Sequence, residues 1–437
     1  MHISSLAKEL NPWWLGRDDT WTVPEYRREP FARLQAWLDS DDRQAQVVMG
    51  PRQVGKTVLL RQLLRTALGS GWPASNILFF NFKDERLIPK PASPGEVVAL
   101  MPEPVPGVPR LVICDEVTGA PDWWAWLGRA VDDGLRVVVA DSSAATLRAQ
   151  RLSGDSLAGR WTEVLVEGLS FGEFLALRAS GSPQPSAVGP EMEAYLAVGG
   201  FPEHVQADSR DESWERMRVD LTARAIGIDL RHQGLDVLRV EQLLAYLIRN
   251  SGAQLDERKV SSLLGASRNA VISWLEAIES TLLIRRLESH RTVPIQRLTR
   301  GLKPKLYASE PSLVQAFALP SERPGLRATL FEAAVFKLLR QRFRRDQILF
   351  VPAMARGKKR TGGEIDFLVD LGDQRLAIEV TTGGTALEKA ETLAHRAADF
   401  APAQLLVVTD ALPEREHRGV NLLPLHRLLF EPGRYLP

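Results

Sequence analysis

The chain is poor in sulfur chemistry, with one cysteine, Cys114, among 437 residues. A single thiol excludes an internal disulfide and a cysteine-rich zinc site, and it fits a reducing compartment. Long hydrophobic runs are also missing, and none is long enough to span a bilayer. The first residues, MHISSLAKELNPWWLGRDD, lack the apolar core of a secretory signal. These absences predict a soluble protein of a bacterial-type cytoplasm with no membrane partner. Net charge is scarce as well: Lys and Arg number 55 against 54 Asp and Glu. Overall charge therefore points to no partner, and its distribution must do so instead. The length predicts about two to four domains.

The most specific motif lies in QAQVVMGPRQVGKTVLLRQLLRTAL. A short apolar strand, Gln46 to Met49, enters a loop from Gly50 to Thr57, and a helical pattern follows. This is G-x-x-x-x-G-K-[ST] in its required strand–loop–helix context. Gly50 and Gly55 would let the loop Gly50, Pro51, Arg52, Gln53, Val54 and Gly55 curl around phosphates so that its backbone amides point at them, at a helix N-terminus of positive potential. Lys56 would reach the β- and γ-phosphates of ATP, and Thr57 would ligate Mg²⁺. The bland alternative is a chance glycine turn.

PRLVICDEV is an apolar strand ending in Asp115 and Glu116. At the end of a parallel strand the Asp can hold the Mg²⁺ shell and the Glu can orient an attacking water. A strand that merely ends in acids is the plainer reading. A third strand, GLRVVVADSS, places Ser142 where a polar sensor would read the γ-phosphate. Arg160 follows Ala158-Gly159 at a turn. It is a candidate arginine finger for a neighbouring subunit, a sensor in its own subunit, or an ordinary surface arginine.

Together, GPRQVGKT, LVICDE, LAGRWTEVLVEGLSFGEFL and YLAVGGFPEHV resemble a widespread prokaryotic AAA-type ATPase family. The resemblance runs from about Arg43 to the C-terminus. It implies an N-terminal ATPase followed by a domain of undefined function with a winged helix and a restriction-endonuclease-like core. The family's sensor strand usually ends in Thr-Gly-Ser, whereas here it is Ala140-Asp141-Ser142. Ser142 keeps its place, but Asp141 brings a carboxylate near the phosphates and puts fast hydrolysis in doubt.

The expected fold class is α/β, with the boundaries that follow. Residues 1–42 form an N-terminal arm and 43–180 a P-loop ATPase core. Residues 181–238 form a helical lid, opening on the Gly/Pro/Ser-rich stretch GSPQPSAVGP. Residues 239–290 form a winged helix, and 291–437 a restriction-endonuclease-like domain. The arm's Trp13, Trp14 and Trp21 suit either a strap over the core or a tether between subunits.

Apolar spacing from Val240 to Leu287 gives three helices. Leu243, Leu244 and Leu247 line the first, Val260, Leu263 and Leu264 the second, and Val271, Trp274, Leu275 and Ile278 the third. Gly265-Ala266 makes the turn of a helix-turn-helix, and LLIRRL supplies a wing strand. Arg268 and Asn269 open the third helix and are candidates for DNA contact. Such modules are also plain protein-docking devices. Between Arg285 and Lys305 stand seven basic residues, Arg285, Arg286, Arg291, Arg297, Arg300, Lys303 and Lys305, against one acid, Glu288. Further clusters hold Arg344 and Arg345, then Lys358, Lys359 and Arg360. One-sided basic stripes bind phosphate backbones. Solvated loops with acid-paired arginines are the alternative.

GGEIDFLVDLGDQRLAIEVTTGG reads as a strand hairpin with Asp366 and Glu379 on paired strands. The preceding KLYASEPSL resembles the entry to the family's endonuclease-like part, and an amphipathic helix carries Glu332. Nucleases of the PD-(D/E)xK type place Mg²⁺ on such carboxylates and a lysine two residues after the second strand's glutamate. Here that place holds Thr381. Rescue by Lys358 or Lys359 has no spacing to support it. The expectation is a degenerate nuclease site, Glu332, Asp366, Glu379 and Thr381, whose fold still grips DNA. The three acids also suit a solvated sheet edge.

The leading functional expectation is an ATP-dependent, ring-forming homo-oligomer acting on duplex or branched DNA. The alternatives are an ATP-bound switch docking a protein partner and an ATP-gated nuclease.

Overall fold

The computed structural model describes all residues except 1–2, 88–89, 143–158, 180–187, 208, 227–234, 291–302, 354, 357–358, 361–362 and 401–402. The chain divides into two compact units, Met1–Glu167 with Ser280–Leu282, and Gly168–Glu279 with Leu283–Pro437.

The first unit is built on five parallel strands: β1 (Ala45–Met49), β2 (Ile77–Asn81), β3 (Leu111–Asp115), β4 (Arg136–Asp141) and β5 (Trp161–Leu165). Their order is β2-β3-β4-β1-β5. β1, β3 and β4 are buried along their whole length. That is why they read as unbroken apolar runs rather than alternating ones. β4 lies between β1 and β3, so the loop after β1 and the acids ending β3 face each other across one strand. Trp123, Trp124 and Trp126 of the helix Trp123–Asp132 are buried in the core beneath this sheet.

The N-terminal arm is a strap over this core. β2 is an edge strand, and Asn11 covers it as a further strand would. Its side-chain amide donates to Phe79 O at 2.9 Å and accepts from Phe79 N at 2.7 Å. The indoles of Trp13 and Trp14 both donate to Ile77 O. The arm then runs along the helix Lys56–Gly69. Arg61 lies 4.5 Å from the Trp21 ring. Gln62 donates to the carbonyls of Pro24 and Tyr26, and Arg65 pairs with Asp19.

The second unit carries a mixed eight-stranded sheet, β14-β15-β13-β12-β11-β8-β6-β7. Its strands are β6 (Ile284–Ser289), β7 (Lys305–Ala308), β8 (Ile348–Val351), β11 (Ile365–Asp370), β12 (Arg375–Val380), β13 (Ala403–Thr409), β14 (Arg415–His417) and β15 (Val420–Pro424). A separate ribbon holds β9 (Ala355–Arg356) and β10 (Lys359–Arg360). The expected hairpin is β11–β12, with Phe367 opposite Ile378 and Asp370 opposite Arg375. Gly372, at φ +93°, makes its turn.

Three helices precede the sheet: Val237–Arg249, Glu257–Leu264 and Arg268–Ser280. Asp256 caps the second and Gly265, at φ +58°, ends it. The expected wing strand is β6, but it pairs with both β7 and β8 and so belongs to the large sheet. Leu263 does not face inward as its spacing suggested and is 60% exposed. In this short helix Val260 is the buried residue, and Leu263, three positions on along the same face, lies in the last turn before Gly265 and is left uncovered.

The helices expected as the lid, Val188–Val198 and Arg210–Ala225, lie in the second unit. A buried ion pair anchors the first of them. Lys337 Nζ lies 2.6 Å from Glu310 Oε2, with both side chains almost wholly enclosed. Lys337 also donates to Leu169 O, as does the Tyr195 hydroxyl. A Cβ at Gly168 or Gly200 would come within 2.0 Å of the Glu310 carboxylate, so only glycine fits. Three stretches that carry the family resemblance, EGLSFGEFL, YLAVGGFPEHV and KLYASEPSL, therefore meet at one buried charge pair.

Candidate functional site

The loop Gly50–Thr57 joins β1 to the helix Lys56–Gly69. A Cβ at Gly50 would stand 2.0 Å from Val166 O, so the loop can leave β1 only through glycine. Gly55, at φ +94°, turns the chain into the helix, and Gln53 is left-handed at φ +64°. Arg28 of the strap donates to Val54 O at 2.7 Å and to Glu167 O at 2.9 Å. Pro51 and Val54 are buried, while Arg52 and Gln53 are half-buried. Lys56 is buried, and its ammonium donates to Gly50 O at 2.9 Å and Pro51 O at 2.8 Å. Burial pulls its pKa below the usual lysine value, against the fields of Glu116, Asp141 and Asp115.

The acids face this lysine from the ends of β3 and β4. Thr57 Oγ1 donates to Asp115 Oδ2 at 2.8 Å, and Asn81 Nδ2 donates to the same oxygen at 3.2 Å. Burial, then the neighbouring Glu116, pushes the Asp115 pKa up to about 6. A hydroxyl and a carboxylate so close are hard oxygen ligands. They suit Mg²⁺, which takes one or two protein oxygens and completes its shell with phosphates and water.

Glu116 sits in the left-handed region at φ +51°, which costs about 1 kcal/mol for a residue with a Cβ. Its carboxylate meets Lys83 Nζ at 2.8 Å, and Ser142 Oγ donates to it at 3.5 Å. Burial opposes its charge, but Lys83 and Lys56 hold its pKa below the usual glutamate value. The loop lysine, the two acids and Ser142 thus converge as their motifs predicted. Asn81 and Lys83 were missed. Asn81 ends β2 and Lys83 follows it, and only the strand order brings them to β3.

Arg160 lies elsewhere. Its carbonyl accepts from Ala45 N, at the start of β1, whereas the phosphate loop leaves the other end. The length of β1 separates them, about 16 Å at a strand's rise per residue. Its guanidinium pairs with Asp132 at 3.0 Å.

The second unit gathers the other predicted acids. Glu332 projects from the helix Arg327–Arg342, Asp366 from β11 and Glu379 from β12. Lys305 is buried among them. Its Nζ lies 2.5 Å from Glu364, 3.2 Å from Glu332 and 3.6 Å from Asp366. Burial works against its charge, but the three carboxylates outweigh it and raise the pKa. Tyr307 donates to Glu332 at 2.6 Å. Lys389 pairs with Glu379 at 2.7 Å, and burial with the nearby Asp366 pushes the Glu379 pKa up to about 8. Thr381 is buried, its hydroxyl 2.9 Å from that of Thr385.

Lysine is therefore present, supplied by β7 and by the helix Ala386–Ala397 rather than by position 381. These ammonium groups contact the carboxyl groups that a metal would use. Among the described residues, no group of three or more His, Cys, Asp or Glu is arranged to hold a metal ion. The proposed alternative donors lie outside view: Lys358 is not among the described residues, nor is the side chain of Lys359.

Lys305 was expected on a phosphate-binding stripe and is instead an internal counter-ion. Arg285, expected there too, is buried. Arg286 pairs with Glu279, Lys303 with Asp256, Arg268 with Glu257 and Arg344 with Asp346. Asn269 and Arg345 are exposed. Arg291, Arg297, Arg300 and the side chain of Arg360 lie outside the described residues. Exposed ion pairs are worth little, so the exposed members remain able to exchange an acid for a phosphate.

Residues 42–175 match the family described as an AAA domain. The first unit carries an AAA-type P-loop core. Residues 189–323 match a domain of unknown function, DUF8612. An uncharacterized protein of Haemophilus influenzae is 27% identical over 252 residues, or 54% of this chain. The match spans 60% of that relative's length. Among solved structures, the replication initiator DnaA bound to AMPPCP and single-stranded DNA is 13% identical, with a TM-score of 0.28. That likeness covers 62% of this chain and 92% of DnaA. AMPPCP-bound DnaA from Aquifex aeolicus is 13% identical over 59% of this chain and 89% of its own, with a TM-score of 0.31. Closed Hsp104 with ATPγS and casein is 15% identical over 62% of this chain and 52% of its own, also at 0.31.

Proposed function

We propose that the protein is an ATPase whose AAA-type core drives a DNA-holding second unit. The observation that carries the ATPase reading is the 2.8 Å contact of Thr57 with Asp115 beside the buried Lys56. In this reading Lys56 leaves its two loop carbonyls for the β- and γ-phosphates. Thr57 and Asp115 hold the nucleotide's Mg²⁺, which neutralises phosphate charge. Glu116 orients the attacking water and Ser142 reads the γ-phosphate. Arg160, at the far end of β1, serves a neighbouring subunit of a ring rather than its own site.

The DNA reading is supported by exposed Arg268, Asn269 and Arg345, with Arg344 weakly paired. Three helices before a sheet support a winged helix, and the Glu332–Asp366–Glu379 arrangement supports a nuclease-derived fold. Duplex or branched DNA, such as a repair or recombination junction, is the proposed substrate. Cleavage is not proposed, because Lys305 and Lys389 already contact the acids. The test is ATP turnover by the full chain with duplex, single-stranded and branched DNA. Stimulation that Lys56→Ala abolishes is the expected result. The DNA reading fails if none of these alters the rate and none binds at low salt.

One observation favours a second reading, an ATP-bound switch that turns over slowly. Lys83 holds Glu116 at 2.8 Å, away from a purely water-orienting role. A switch would stay monomeric with a non-hydrolysable ATP analogue, whereas a motor would form rings.

A further inference from the structure

We propose that Asp141 is a positioning residue for Glu116, an inference that rests on the ATPase reading. Glu116 begins a tight 3-10 turn, Val117–Gly119, directly after β3. A left-handed backbone at a residue with a side chain holds only when its surroundings enforce it. Two neighbours do so here. On the β2 side, a Cβ at Gly119 would meet Phe82 O at 2.6 Å, so the turn lies flush against that strand's end. On the β4 side, Asp141 Oδ2 accepts from Thr118 N at 3.0 Å and from the Thr118 hydroxyl. Asp141 itself is buried.

The next residue, Ser142, donates to the Glu116 carboxylate at 3.5 Å. The end of β4 thus holds Glu116 twice, its backbone through Asp141 and Thr118 and its carboxylate through Ser142. Asp141 therefore acts on Glu116 through the turn.

The experiment compares Asp141→Gly, Asp141→Asn and Thr118→Val with wild type and Lys56→Ala in the full chain. Asparagine keeps the acceptor oxygen, and glycine removes it. Asp141→Gly is expected to lower kcat at least about tenfold while ATPγS affinity stays within about twofold. Asp141→Asn is expected within about threefold of wild-type kcat, with Thr118→Val between the two. Wild-type kcat in Asp141→Gly overturns the proposal. So does an equal loss in Asp141→Asn, or loss of ATPγS binding in step with kcat. Hydrogen exchange at the Thr118 amide reads the anchor without turnover. It should be protected in wild type and Asp141→Asn and exposed in Asp141→Gly, and protection in all three overturns the proposal. Wild-type turnover no faster than Lys56→Ala would instead sink the ATPase reading.

Discussion

Lys56 and Lys305 are both buried lysines facing several carboxylates, yet they are held in opposite ways. Lys56 bonds to two backbone carbonyls, and its acids, Asp115, Glu116 and Asp141, act on it as a field. Its pKa is lowered by burial. Lys305 touches its acids directly, and they raise its pKa. A neutral carbonyl is easily exchanged for a phosphate oxygen, because no buried charge is stranded when the lysine leaves. A lysine bound to buried carboxylates cannot leave without stranding them. The first arrangement suits a working ligand, and the second a fixed structural charge cluster.

Breaking each lysine should therefore have a different signature. Lys56→Ala is expected to lower ATP turnover by about 10² to 10³-fold, read as phosphate release, with the melting temperature little changed. Lys305→Met should do the reverse. It leaves Glu332, Glu364 and Asp366 uncompensated and should cost about 3–5 kcal/mol in chemical denaturation, with Lys56-dependent turnover retained at low temperature. A Lys305→Met variant as stable as wild type would remove the contrast.

Thr381→Lys sharpens the same comparison. A lysine at this position should not produce cleavage of plasmid with Mg²⁺ or Mn²⁺, because Lys305 and Lys389 already occupy the acids. It should instead destabilise by about 1–3 kcal/mol through overpacking at a buried position. Nicked plasmid, absent from an Asp366→Ala control, would show that the site is not locked.

The smallest effect concerns pH. The Glu379 pKa is raised by burial to about 8 in the folded chain, against an ordinary glutamate value when unfolded. The folded state then binds more protons between those values. Its contribution to stability is full below the unfolded pKa and is lost as pH rises through about 8. Glu379→Gln should flatten that decline, measured by denaturation from about pH 5, above the unfolded pKa, to about pH 9, one unit above the folded one. An unchanged slope would assign the decline to another group.

Features written in contiguous residues were legible beforehand. The loop Gly50–Thr57, the pair Asp115-Glu116 and the β11–β12 hairpin appear where their spacing put them. Each depends on neighbours a few residues apart, so local chemistry suffices. Leu263 shows the limit of periodicity, since spacing assigns it to the face of Val260 but does not say whether anything packs over the helix's last turn. The basic stretch before β7 shows a second limit. Seven charges counted along the chain say nothing about which are paired, and Lys305 turns inward while Lys303, two residues earlier, meets Asp256 at the surface.

The amino-acid order was enough for a nucleotide loop, its acids and a carboxylate hairpin without its lysine. Folding supplied the partners that give those groups their roles. Strand order brought Lys83 from beyond β2 and Asp141 from β4 to opposite sides of the Glu116 turn. It set Arg160 at the far end of β1 from the phosphate loop. Sheet pairing carried Lys305 on β7 to the acids of a helix and a strand tens of residues away. The physical reason is range: backbone geometry and motif chemistry act within a turn or a strand, whereas charge pairing acts across space.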